Sequence, residues 1–218
     1  MTAKSTPRTT VRRLKERGIY ERATIEAILD EALICHLGFV HDGHPFVIPT
    51  IHARSGDTVY VHGSPASRML GTMATGTDVC LTATLLDGLV LARSVFHHSM
   101  NYRSVVVVGR ARDVVDPSEK MEAFRTIVEH VQPGRWDDAR RPNPDEIRKT
   151  RVLALPMDEA SAKVRSGPVG DDEADLGLPV WAGVVPLEIT ARAPVPDELL
   201  EPGTQLPSYL KGWGRVSG

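Results

Sequence analysis

Several protein classes are excluded by what this chain does not have. No run of ~18 apolar residues occurs in its 218 residues, so no membrane-spanning helix is expected. Cysteine is scarce. Cys35 and Cys80 each sit in apolar surroundings (LICHL, VCLTA) and read as buried thiols of a reducing cytoplasm, not as a disulfide framework. Charge of one sign is not in excess: the formal net charge is −2, which gives no reason to expect nucleic acid as a partner. Basic residues near the N-terminus are not followed by an apolar stretch, so no secretory signal is expected there. The sequence contains no GxxxxGK[ST], GxGxxG after a strand, GxSxG, HExxH or CxxC. P-loop, dinucleotide-Rossmann, α/β-hydrolase and common zinc chemistry are therefore unsupported.

What remains is an ordinary globular composition, with 41% hydrophobic and 25% charged residues. The length fits one domain with extensions. The first 17 residues hold six basic groups (Lys4, Arg8, Arg12, Arg13, Lys15, Arg17) against Glu16 and read as a solvated arm or a packing arm. Ile25, Ile28, Leu29, Ala32 and Leu33 keep the spacing of one helical face, begun at Glu21 or Thr24. The period then changes to that of strands. ICHLGFVH and HPFVIPTIHA flank Asp42-Gly43, a type I′ hairpin signal. Pro45 and Pro49 place the second of these strands at an edge. TVYVH, DVCLTATLL, LVLARSVF and YRSVVVVGRARDVV continue the sheet, with Asp87-Gly88 expected as a second hairpin turn. PSEKMEAFRTIVEHV is a helix capped by Asp116, with Met121, Phe124, Ile127, Val128 and Val131 on its apolar face.

Eleven of the 16 prolines lie from Pro133 onward, so long connections wrapped on a core are expected there. TRVLALPM, SAKVRS and VWAGVVPLEI are the remaining apolar pieces, and the end (LPSYLKGWGRVSG) is expected to be loosely held. The fold class is mainly β with peripheral helices: six or seven antiparallel strands in a small barrel.

Three clusters could carry chemistry. His62-Gly63-Ser64-Pro65-Ala66-Ser67-Arg68 joins a strand to a helix, and Ser64, Ser67 and Arg68 supply the donors an anion needs. The plainer reading is a polar turn with Ser67 as helix cap. His97-His98-Ser99-Met100-Asn101-Tyr102-Arg103-Ser104 precedes VVVVGRA. Adjacent strand histidines face opposite ways, and no third ligand stands at a recognised spacing, so a metal site is not expected. Lys163 and Arg165 alternate onto one strand face with Trp181 downstream, which suits an anion or merely a solvated face.

At PFVIPT (45–50), TVYVHGSPASRML (58–70), LDGLVLARSVFHHSMNYRSVVVVGRA (86–111) and SAKVRSGP…LPVWAGVVPL (161–187) the chain resembles a known family. It is similar to the pyridoxamine 5′-phosphate oxidase-like FMN-binding split-barrel proteins, and more narrowly to their nitroimidazole-resistance, flavin-nucleotide-binding branch. The resemblance implies an antiparallel split β-barrel, a homodimer, and FMN in a groove between the subunits. It divides the chain into a basic arm (1–20), a split-barrel domain with a C-terminal wrap (21–190) and a proline-rich tail (191–218). It implies ring contacts from Val47, Ile48, Pro49 and Thr50, and phosphate contacts from Ser64, Ser67 and Arg68, where many relatives carry lysine at the last position. Tyr102, Arg103 and Ser104 fall at the flavin edge, while Lys163, Arg165 and Trp181 help close the site. The implied activity is electron transfer from a reduced donor through FMN to a small nitroaromatic- or quinone-like acceptor, with His97 or His98 as proton donor. A cofactor carrier or sensor and a haem-handling relative are the alternatives, the paired histidines arguing for the last.

Overall fold

The computed structural model describes residues 5–211. One antiparallel sheet organises them. Its strands are β1 (Gly18–Ile19), β2 (Ile34–His41), β3 (His44–Ser55), β4 (Thr58–Gly63), β5 (Asp78–Leu91), β6 (Ser99–Arg110), β7 (Arg112–Asp113), β8 (Arg151–Pro156), β9 (Glu159–Arg165) and β10 (Gly183–Pro186). The order is β1-β9-β6-β5-β2-β3-β4-β8-β7, with β10 paired to β5. These ten strands exceed the six or seven expected, because β1, β7 and β10 are too short to register as apolar alternation. The sheet is split rather than closed. Residues 44–51 of β3 pair with β2 and only 52–55 pair with β4. The proline-bearing half of β3 is thus a local edge, as Pro45 and Pro49 require.

The β2–β3 turn is the expected type I′ hairpin, with positive φ at Asp42 (50°) and Gly43 (76°). The second expected turn is overturned. Asp78–Leu91 is one continuous strand, and Asp87-Gly88 is a β-bulge within it. Gly88 is buried under β10, where an added Cβ would lie 3.1 Å from the Val184 side chain and the Val185 carbonyl. Glycine here serves a close approach and not a turn.

Helix α1 (Arg22–Glu31) starts after Glu21 and buries Ile25, Ile28 and Leu29 against the sheet's inner face. Two histidines finish it. His52 Nε2 lies 3.0 Å from the Leu29 carbonyl and His130 Nε2 lies 2.9 Å from that of Ala32, supplying donors to carbonyls that a helix end leaves without intrahelical partners. Helix α2 (Arg68–Ala74) is capped by Ser67, whose Oγ accepts from Leu70 N. Helix α3 (Pro117–Val131) is capped by Asp116 as expected, but its buried side is Ala123 and Ile127, with Val131 exposed. Phe124 packs against the same cluster of Ala53, Tyr60 and Val152, so the expected face holds in part, with Ala123 added to it. Two short helices, α4 (Arg135–Asp138) and α5 (Pro144–Arg148), fold the proline-rich connection.

The described part of the N-terminal arm is packed on the chain. Arg8 pairs with Glu159 and Asp78, Thr9 is buried, and β1 extends the sheet beside β9. Lys4 lies outside the described residues. The expected loose end is tied at Tyr209, whose hydroxyl donates to Asp138 at 2.5 Å, while residues 212–218 lie outside the described part. Cys35 is buried, and burial pushes its thiol up to about 12. Cys80, expected to be buried, is exposed, because its strand alternates and 80 falls on the outward parity between Val79 and Leu81. Among the described residues no helix is long and apolar enough to cross a membrane.

Candidate functional site

Strand register sorts the expected site residues between two faces. Cross-strand partners share a face. Ile48, Leu37, Leu81, Val107 and Ala160 align as one inward row, and all but Ile48 are fully buried. Pro49, His36, Thr82 and Val106 align as the neighbouring outward row. Val47, Gly38, Cys80 and Val108 form another, and Thr84, Ser104, Lys163 and Gly18 a third. Val47 is 67% exposed, and Ile34 (50%) and Val40 (54%) stand beside it on the same side.

Of the expected ring contacts, Val47 and Pro49 thus lie on this open face. Ile48 packs on the core, and Thr50 shares its row with the buried Cys35. Tyr102, Ser104, Lys163 and Arg165 fall on the open-face parity, with Tyr102 directly opposite Arg165. Ser104 Oγ donates to the Lys163 carbonyl at 3.2 Å. Arg165 is engaged with the Asn101 side chain and the Pro168 carbonyl, where it fastens the chain leaving β9.

Arg103 falls on the other parity. Its guanidinium bonds bidentately to Glu31 and to Asp87, tying the end of α1 to the bulge. The hydrogen bonds it donates to Glu31 first, then to Asp87, raise its pKa and hold it firmly protonated. The structure therefore separates it from its sequence neighbours Tyr102 and Ser104.

The Ser64–Arg68 turn lies against the free half of β3. The Arg68 guanidinium stacks on the Phe46 ring at 4.2 Å, next to Val47. Among the described residues no carboxylate lies within ion-pair distance of Arg68 or Lys163, whereas Arg103 has two. Ser64 Oγ accepts from Ala66 N at 3.2 Å and Ser67 Oγ from Leu70 N at 3.4 Å. Both use their oxygens, which leaves their hydroxyl protons to donate. Two O–H donors beside an unneutralised guanidinium have the chemistry that binds a phosphate. His62 stands at the base of this turn. Its Nδ1 is buried with no hydrogen-bond partner, and burial pulls its pKa below the ordinary histidine value. The sequence gives His62 no role of its own, since its surroundings are set by strand pairing, which brings Val152 of β8 opposite it.

The second cluster sits in the β5–β6 connection. Val95 (90% exposed) and Phe96 (85%) project from it. His97 Nε2 is 3.1 Å from Asp172, and His98 Nδ1 is 3.0 Å from the Ser94 carbonyl. Asp171 holds this connection from the far side. Its side chain is 1% exposed and accepts from the Arg93 backbone N (3.0 Å) and guanidinium (2.9 Å). Trp181 is 66% exposed, with its ring over Gly183 at the start of β10.

A split antiparallel sheet with one face packed and one open defines the class as a split barrel. The chain belongs to the pyridoxamine 5′-phosphate oxidase family, whose model matches residues 21–164. Among solved structures it is similar to the flavocytochrome Anf3 from Azotobacter vinelandii, at 41% identity and TM-score 0.89, covering 94% of this chain and 96% of that one. It is also similar to the FAD and heme binding protein from Mycobacterium smegmatis, at 32% identity and TM-score 0.87, covering 91% and 97%. A structure from Bacteroides thetaiotaomicron VPI-5482, assigned to 5-nitroimidazole antibiotic resistance, matches at 26% identity and TM-score 0.57, covering 67% and 86%. No curated protein matches the chain.

Proposed function

We propose that this protein binds a flavin and a haem and passes electrons from a reduced donor to a small acceptor, working as a pair of identical chains. The observation that carries the reading is likeness over nearly the whole chain, at 41% and 32% identity, to two proteins described by both cofactors. The M. smegmatis neighbour is described by FAD, so FAD is the flavin we propose, with the FMN implied by sequence resemblance as the second candidate.

When bound, the flavin supplies two-electron chemistry and the haem one-electron chemistry. Arg68, Ser64 and Ser67 would hold a flavin phosphate. Val47 and Pro49 would present the free edge of β3 to the ring and keep water from it. Lys163 would add positive charge on the same face. The exposed apolar row through Ile34, Val40 and Val47 supports pairing with a second copy, since exposed patches of this kind mark association surfaces.

The test is the absorbance of the purified protein, followed by titration with FMN, FAD and haemin. Bands at about 450 nm for flavin and about 400 nm for haem are expected. No uptake of any flavin would overturn the reading. Stopped-flow mixing with NADH, NADPH or dithionite and then an acceptor panel tests the oxidoreductase role. Cofactor held without turnover would make the protein a carrier.

A further inference from the structure

His98 differs from the other hydrogen-bonded histidines in how its ring is fixed. Its Nδ1 faces the Ser94 carbonyl at 3.0 Å. A carbonyl only accepts, so the neutral ring carries its proton on Nδ1 and leaves the Nε2 lone pair unprotonated. A metal-ligating histidine is commonly set in this way, by a backbone carbonyl on the nitrogen that does not bind metal. His98 is exposed, and among the described residues nothing hydrogen-bonds its Nε2. Four other histidines are committed differently. His52 and His130 turn Nε2 to backbone carbonyls, His97 turns Nε2 to Asp172, and His41 lies between Thr72 and Asp42.

Exposed apolar side chains flank His98 along the chain, and the connection that carries them is held in place; the Phe96 ring lies edge-on to that of His97. Val95 and Phe96, three and two residues earlier, are 90% and 85% exposed. His98 has extended backbone (φ −58°, ψ 139°) and so shares its side of the chain with Met100. Met100 is 50% exposed and aligns across β5 and β10 with Leu89 and Val185. An exposed loop of this composition costs solvation free energy unless something apolar covers it. Yet the loop is braced as a rigid site should be, by Asp171 on Arg93 and by Asp172 on His97.

We propose that Nε2 of His98 is an axial ligand to a haem iron, with Phe96, Val95 and Met100 against the porphyrin. The proposal rests on the flavin-and-haem reading above and goes beyond it by naming the ligand.

The experiment loads wild type, His98→Ala and His97→Ala with haemin. Haem coordination is read from the Soret band and the electron paramagnetic resonance of the ferric iron, and bound flavin is counted separately as a check on folding. Wild type should take up haem. His98→Ala should keep its flavin, lose more than about tenfold in haem affinity or change its iron spectrum, and regain the wild-type spectrum on addition of imidazole. His97→Ala should keep the wild-type spectrum. A wild-type iron spectrum in His98→Ala would overturn the ligand assignment and leave the haem reading standing. Equal losses in both variants without imidazole rescue would overturn it too. Absence of haem uptake by wild type would overturn the haem reading and this proposal with it.

Discussion

Arg68 and Arg103 are drawn from two motifs that the resemblance assigns to cofactor binding, and the structure gives them different surroundings. Arg103 is neutralised by Glu31 and Asp87, one 72 residues and the other 16 residues away in the chain. Arg68 rests on Phe46 with no carboxylate at hand among the described residues. A guanidinium in that state contributes binding free energy to an incoming phosphate without first leaving a partner. Arg68→Ala is expected to weaken flavin binding by about 2 kcal/mol, roughly thirtyfold in Kd, with little change in Tm. Flavin titration followed by fluorescence quenching measures it, and an unchanged Kd would remove Arg68 from the site. His62 gives a pH effect whose sign is fixed by burial. Its folded-state pKa lies below the ordinary 6.5, so on acidification the unfolded chain takes the proton first. The stability it contributes is complete above pH 6.5 and is lost as pH falls through the folded-state value. Thermal melts from about pH 7.5 to about pH 5 should show Tm falling on the acid side, and less steeply in His62→Asn.

Elements show how one dipeptide can have two outcomes. Asp42-Gly43 and Asp87-Gly88 carry the same local signal, and only the first becomes a turn. The second is overruled by a strand more than ninety residues further along: β10 lies on β5 through Gly183–Leu91 to Pro186–Gly88 and needs the space that a glycine leaves. Gly88→Ala is therefore expected to destabilise by about 1–3 kcal/mol, because the atoms its Cβ would meet include backbone. Hydrogen exchange should quicken at residues 183–185 and stay slow in β2 and β6. Uniform quickening across the sheet would contradict the local account. Long amphipathic elements needed no such correction. The cap and extent of α3 were legible because Asp116, Pro117 and an apolar repeat are local chemistry. Its exact inward face was not, since that depends on the shape of what it covers.

For the whole molecule the deciding feature is a sheet with one face packed and one open. Single substitutions on the open face should act on association before they act on folding. Val47→Asp places a charge on a side chain that is 67% exposed in the single chain, so folding should change by less than about 0.5 kcal/mol. The proposed pairing should weaken, as light scattering with concentration would show. Cys80 reports the same event. Its thiol should alkylate slowly in the paired protein and quickly in Val47→Asp, while Cys35 stays unreactive until unfolding. Equal labelling of Cys80 in both proteins would place the association surface elsewhere.

The sequence by itself determined the antiparallel strand class, the I′ hairpin, the capped helices, the family, and the Ser64–Arg68 turn. All of these depend on residues within a few positions of one another. Tertiary structure alone decided which face each strand residue occupies, that Arg103 is consumed by carboxylates, that Asp87-Gly88 is a bulge, and that His97 is turned to Asp172. Each depends on partners brought together across the fold, such as Glu31, β10 and Asp172. Face, charge balance and ring orientation are set by register and packing, which no local stretch of sequence specifies.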